Sequence, residues 1–141
     1  MTFVLDTNIL SAMMSARPEP VVAKWISGQD EERLFTTVIS HAEIFAGLAI
    51  MADGRCRLAL ENAAAGMFAE DFAGRVLSFD VEAAAAYAEI FAVRRRAGRP
   101  TATLDLMIAS IARCQGAAVV TRDTSGFEGC GLTLINPWAI R

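Results

Sequence analysis

Five short apolar runs recur along this 141-residue chain: Phe3–Leu5, Leu34–Ile39, Val76–Phe79, Ala117–Thr121 and Leu132–Ile135. Runs this short and this uniformly apolar read as strands buried on both faces. Stretches with helical spacing separate them, and strands alternating with helices predict an α/β layer structure with a mainly parallel five-stranded sheet. Thr7–Leu10 opens the first helix. Pro18 and Pro20 punctuate a turn and start a second, in which Val21, Val22, Trp25 and Ile26 share a face, and Gly28 with the polar stretch Gln29–Arg33 ends it. Ser40 opens a third, with Ile44, Phe45, Leu48 and Met51 at helical spacing, and Gly54 separates it from an Ala-rich helix reaching about Phe72. Asp80 caps a long helix through Arg96, stopped by Gly98 and Pro100. Thr103 caps another over Leu104–Gln115, with Gly116 at its end. No repeat or linker interrupts this order, so residues 1–141 read as one domain.

With 54% hydrophobic residues, a chain of this length can bury a single core. No apolar run approaches the roughly 18 residues of a membrane span, and the N-terminus meets Asp6 too early for a signal or transit peptide. The expectation is a cytoplasmic protein. Cys56, Cys114 and Cys130 are an odd count without a CxxC pair, which suits free thiols acting as small apolar fillers. His41 is the only histidine, which removes Cys2His2 zinc, HExxH and multi-histidine sites. No GxSxG elbow, GxxxxGK[ST] loop or GxGxxG turn is present, so the usual nucleophile and nucleotide cradles are missing too.

Carboxylates remain. In an open parallel sheet, ligands bind beyond the carboxyl ends of the strands. Asp6, Glu43, Asp105 and Asp123 all lie at strand ends or at helix starts. Each also has a local structural explanation. Asp6 can cap the following helix, Ser40-His41-Ala42-Glu43 fits a capping box, Asp105 favours the helix dipole from the first turn, and Asp123 suits a turn. Asp105, however, sits among Leu104, Leu106, Met107 and Ile108, where an unpaired carboxylate is costly. Taken jointly, four acids on one sheet edge repel unless they are protonated or bridged by cations. A hard divalent ion such as Mg²⁺ or Mn²⁺ meets that need with oxygen ligands and retained water. Two such ions would form the clamp used for in-line phosphodiester cleavage, with a metal-activated water as nucleophile and no histidine base.

The segments DTNIL (Asp6–Leu10), ISHAEIFAG (Ile39–Gly47), LDLMIASIA (Leu104–Ala112), VVTRD (Val119–Asp123) and INPW (Ile135–Trp138) resemble the PIN-domain family, within it the VapC/FitB-type ribonuclease toxins of bacterial toxin–antitoxin modules. The resemblance runs over nearly the whole chain, with its blocks in family order. It implies a PIN-like α/β/α sandwich and Mg²⁺- or Mn²⁺-dependent endonucleolytic cleavage of RNA, with one or two ions per site. It also implies Asp6, Glu43, Asp105 and Asp123 as the catalytic, metal-holding acids, with Asn8, Ser40 and Thr121 orienting ligands around them. Further implications are a homodimer and a cognate DNA-binding antitoxin as inhibitor. Relatives often carry an acid before the phenylalanine that follows the TR pair, whereas here Gly126 precedes Phe127.

Arg94, Arg95, Arg96 and Arg99 form the one basic cluster, either a solvated helix C-terminus matched to the dipole or a set of RNA phosphate contacts. Met13 and Met14 read as core. The net charge of -3 counts against a broad nucleic-acid-coating surface. Four of the negative charges, though, belong to the acid constellation, and the remainder of the chain is net positive. Two other functions compete with the nuclease: a catalytically silent PIN-fold protein that binds RNA or a partner, and a phosphoacceptor signalling domain. The second needs a lysine at a late strand end, and Lys24, the only lysine, lies in an early helix.

Overall fold

A computed structural model describes residues 1–140. Its strands are β1 (Phe3–Leu5), β2 (Leu34–Thr37), β3 (Val76–Leu77), β4 (Ala118–Val120) and β5 (Leu134–Ile135), in the spatial order β3-β2-β1-β4-β5. Every pairing is parallel. The helices are α1 (Thr7–Met14), α2 (Pro20–Ser27), α3 (Val38–Ala49), α4 (Arg55–Gly66), α5 (Val81–Arg96) and α6 (Thr103–Cys114). None of them is long and apolar enough to cross a membrane.

Side-chain alternation along β1 explains the two layers. Phe3 and Leu5 enter a core with Ile9, Leu10, Val22, Ile44, Leu48 and Phe72. Val4 points the other way, into a core with Ile90, Leu106, Ile108, Ile111, Val119 and Phe127. The helices α1 to α4 thus supply one layer and α5 with α6 the other, the expected α/β/α sandwich around an all-parallel sheet. Met13 and Met14 are partly buried against the first core.

Several boundaries differ from the expectation. The second strand stops at Thr37, and α3 begins at Val38, two residues before Ser40. Thr36-Thr37-Val38-Ile39 is β-branched throughout and favours a strand locally, but Thr37 Oγ1 accepts the Ser40 N–H at 3.2 Å and caps the helix. Ser40 is therefore not a cap, and the capping box with Glu43 is not formed. Ala102, not Thr103, is the N-cap of α6, without a side-chain bond. The Ala-rich helix ends at Gly66 in a wider π-type turn, Met67–Asp71. Cys56 and Cys114 are exposed, so only the buried Cys130 acts as an apolar filler.

Candidate functional site

The strand order reverses at β1, whose neighbours are β2 on one side and β4 on the other. Their helical connections depart in opposite directions there and leave a crevice beyond the strand ends, the usual position of a ligand in such a sheet. Asp6 leaves β1 at this crevice. Its backbone N–H donates to the Val120 carbonyl at 2.9 Å, extending the β1–β4 ladder, and its side chain is 5% exposed. Asp6 Oδ1 accepts from Thr7 N at 2.8 Å, so the capping role is real. Asp6 Oδ2 has a different role: it accepts the Thr121 hydroxyl at 2.8 Å and the Asn8 amide at 3.3 Å.

Thr121 is the hub of this arrangement. Fully buried at the end of β4, its Oγ1 donates to Asp6 and accepts from Asn8 Nδ2 at 3.2 Å and from the Asp123 N–H at 3.1 Å. Asn8 in turn accepts the Arg122 N–H at 3.2 Å. Asp123 is thereby fastened through its backbone to the group that holds Asp6, and Ser125 donates to its Oδ1 at 2.8 Å.

Glu43 approaches from α3. Thr7 Oγ1 donates to its Oε1 at 2.8 Å and lies 2.9 Å from Ser40 Oγ. A hydroxyl has a single proton. With Thr7's proton committed to Glu43, Ser40, itself fully buried, must donate to Thr7. The chain Ser40–Thr7–Glu43 thus orients one acid while the Thr7 backbone orients another. Asp105, half-buried in the first turn of α6, completes the set. A methyl placed on Gly126 would lie 3.4 Å from Asp123 Oδ2 and 3.7 Å from Asp105 Oδ2. The two carboxylates flank one small space that glycine leaves open.

Burial is the main cause that raises the Asp6 pKa above its ordinary value. Thr121 and the Thr7 N–H oppose the shift, and the neighbouring charges of Glu43 and Asp123 add to it. Asp105 is also raised, first by burial and then by repulsion from Asp6 and Asp123. The four acids therefore share one electrostatic environment. None of them belongs to an ion pair among the described residues. Nor do any three His, Cys, Asp or Glu side chains among the described residues close into a ready-made metal cage. Hard oxygen donors, mutual repulsion and the open space beside Gly126 suit a divalent ion that keeps some of its own water, as Mg²⁺ does when one or two carboxylates hold it.

Asn8, Ser40 and Thr121 all lie in the network. Thr7 and Ser125 belong to it as well and had no signal of their own in the sequence, since hydroxyls beside an acid are common in turns. The arginine cluster divides. The Arg94 guanidinium is 4% exposed; its Nε donates to Thr101 Oγ1 at 2.5 Å and another of its nitrogens to the Glu128 carbonyl. Its burial removes it from the solvated helix end, and two of its donors are engaged inside the protein. Arg95 lies over the Phe91 ring at 6.0 Å, Arg96 is exposed, and Arg99 pairs with Glu128 at 3.1 Å.

The PIN domain family pattern matches residues 3–128. The VapC ribonuclease Y4jK of Sinorhizobium fredii is 42% identical over 135 residues, covering 96% of each chain. Toxin FitB of Neisseria gonorrhoeae is 32% identical over 135 residues, covering 96% of this chain and 97% of the relative. A solved structure of FitAB bound to the IR36 DNA fragment superposes with a TM-score of 0.92 at 31% identity, over 99% of this chain and 98% of the matched one.

Proposed function

The chain belongs to the PIN-domain family, and we propose that it is the ribonuclease toxin of a toxin–antitoxin pair, a Mg²⁺- or Mn²⁺-dependent endonuclease centred on Asp6, Glu43, Asp105 and Asp123. The observation that carries this reading is a buried Asp6 surrounded by three further acids, with no cationic side chain among the described residues paired to any of them. Such an arrangement costs stability unless a cation is meant to join it. Names of relatives support the chemistry, through a VapC ribonuclease, and the biology, through a toxin and a FitAB complex on DNA. On this reading the inhibiting partner is a DNA-binding antitoxin.

Asp6 and Asp105, with Asp123 and Glu43 beside them, would hold the ion. Bound there, it would neutralise the acids and acidify a water for in-line attack on a phosphodiester. The chain's own contribution is orientation. Thr121 and Thr7 fix the two oxygens of Asp6 in different directions, so the carboxylate cannot rotate to relieve repulsion. Thr7 occupies Oε1 of Glu43, which leaves Oε2 as its free acceptor atom. The open space at Gly126 keeps Asp105 and Asp123 wet enough to exchange a ligand.

The test is incubation of the purified chain with total cellular RNA and Mg²⁺ or Mn²⁺. Cleavage is expected to stop with EDTA. Asp6→Ala and Asp105→Ala should each lower it by about 100-fold or more, beyond the roughly 10–100-fold typical of groups that only orient a ligand. Cleavage that survives chelation, or both substitutions, overturns the proposal.

A further inference from the structure

The basic group the site lacks in its interior stands on its rim. We infer that Arg122, laid on the face of Trp138, is the clamp that docks an RNA phosphate beside the acid cluster; this rests on the ribonuclease reading above. Arg122 lies between Thr121, which holds Asp6, and Asp123. Its backbone is fixed at both ends, the N–H donating to Asn8 Oδ1 at 3.2 Å and the carbonyl accepting from Asn136 Nδ2 at 3.3 Å. The side chain is 62% exposed, and its guanidinium carbon lies 4.8 Å from the centre of the Trp138 ring.

The ring beneath it is fixed too. Trp138 N–H donates to Asn136 Oδ1 at 3.0 Å, and the indole N–H donates to Glu19 Oε2. Stacking on an aromatic face leaves the in-plane N–H donors of a guanidinium unused, and that fork matches two oxygens of a phosphate. Here they are unused: among the described residues the Arg122 guanidinium donates no hydrogen bond, and its nearest counter-charge, Glu19 Oε1, is 4.0 Å away. Of the basic cluster at the end of α5, Arg94 is committed to Thr101 and the Glu128 carbonyl, and Arg99 to Glu128. A polyanion approaching four carboxylates needs one positive group aimed outward, and Arg122 is aimed outward from the residue between two parts of the network. Glu19 steadies the indole and lends Arg122 a weak counter-charge that a phosphate displaces.

The experiment measures binding of a fluorescein-labelled, mixed-sequence single-stranded RNA by fluorescence anisotropy across a salt series. It uses the full chain carrying D105N to suppress cleavage. Adding Arg122→Ala is expected to weaken binding about tenfold and to reduce the slope of log K against log[salt] by roughly 0.7, one phosphate contact on a single strand. Arg122→Lys, the gentler change, should keep the slope yet bind a few-fold more weakly, because an ammonium lacks the fork. Glu19→Gln should tighten binding about two- to five-fold by removing the competing charge. In the cleaving protein, Arg122→Ala should raise KM and leave kcat within about threefold, the pattern of lost substrate binding. An unchanged slope and affinity in Arg122→Ala, an equal loss in Arg96→Ala, or no RNA binding at all overturns the inference. RNA cleavage that is indifferent to Arg122 defeats the clamp alone. Arg122-dependent binding without metal-dependent cleavage supports the clamp and defeats the ribonuclease reading.

Discussion

Asp6 and Asp105 are strained by the requirement that both be ionised. Their pKa values are raised above 3.8, chiefly by burial. Below pH 3.8 both folded and unfolded chains hold these protons. As pH rises, the unfolded chain releases them first, so stability falls between 3.8 and the raised native values and stays lower above them. Removing the charge should therefore help the fold. Asp105→Asn is expected to raise the melting temperature of the EDTA-treated protein at neutral pH, with the gain shrinking as pH falls toward 3.8 and cleavage abolished. Scanning calorimetry over a pH series checks this; a lower melting temperature at neutral pH would contradict it. The acids themselves were legible because an acid at a strand end has a position-specific meaning that sequence order preserves. Arg122 was not, because its meaning depends on Trp138 and Glu19, which arrive from distant parts of the chain. Thr7 was missed for the same reason, since it becomes informative only when α3 brings Ser40 and Glu43 to it.

At the scale of elements, α3 shows how a local rule is overruled. The β-branched run from Thr36 to Ile39 and the Ser40–Glu43 spacing both argue for a helix starting at Ser40. Pairing in the sheet ends β2 at Thr37, and the freed Thr37 hydroxyl then caps the helix. Starting the helix earlier places Ser40 on its buried face, where it can donate to Thr7, and sends Glu43 toward the crevice. Thr37→Ala is expected to cost about 1 kcal/mol, the usual loss for a helix cap. Urea denaturation measures that, and the same variant should lose cleavage beyond its loss of stability because α3 carries Glu43. A cost near zero would mean that the cap bond contributes nothing. Arg94 teaches a parallel lesson. In sequence it belongs to an exposed basic run, but the chain reversal after Gly98, which has φ +68°, brings Thr101 back to meet it. Burial of one member of a charge run cannot be read from the run itself.

For the whole molecule, the alternation of strand and helix made the layer structure and the parallel sheet legible, while strand order and strand length were not. Strands β3 and β5 keep only two residues each, and nothing local distinguishes them from longer ones. Because β1 sends alternate residues to opposite faces, the protein has two cores, on either side of the sheet and bridged at one end by α3, which sends Ile39 into one and Ile44 and Leu48 into the other. Ile9→Val in one and Ile108→Val in the other are expected to cost about 0.5–1.5 kcal/mol each. The double variant should equal their sum within about 0.5 kcal/mol, as for sites without shared partners. A larger discrepancy in the urea titrations would show that the sheet transmits packing strain.

Asp6 and Thr121 are 115 positions apart. The cluster therefore has no existence on a nascent chain until β4 has been synthesised and has paired beside β1. A ribosome that stalls before that strand, or a protease that severs it, releases a fragment unable to orient Asp6. For a protein proposed to destroy RNA, that long separation is a safeguard during its own synthesis: the ribosome making it is not exposed to the finished centre until most of the chain has been made.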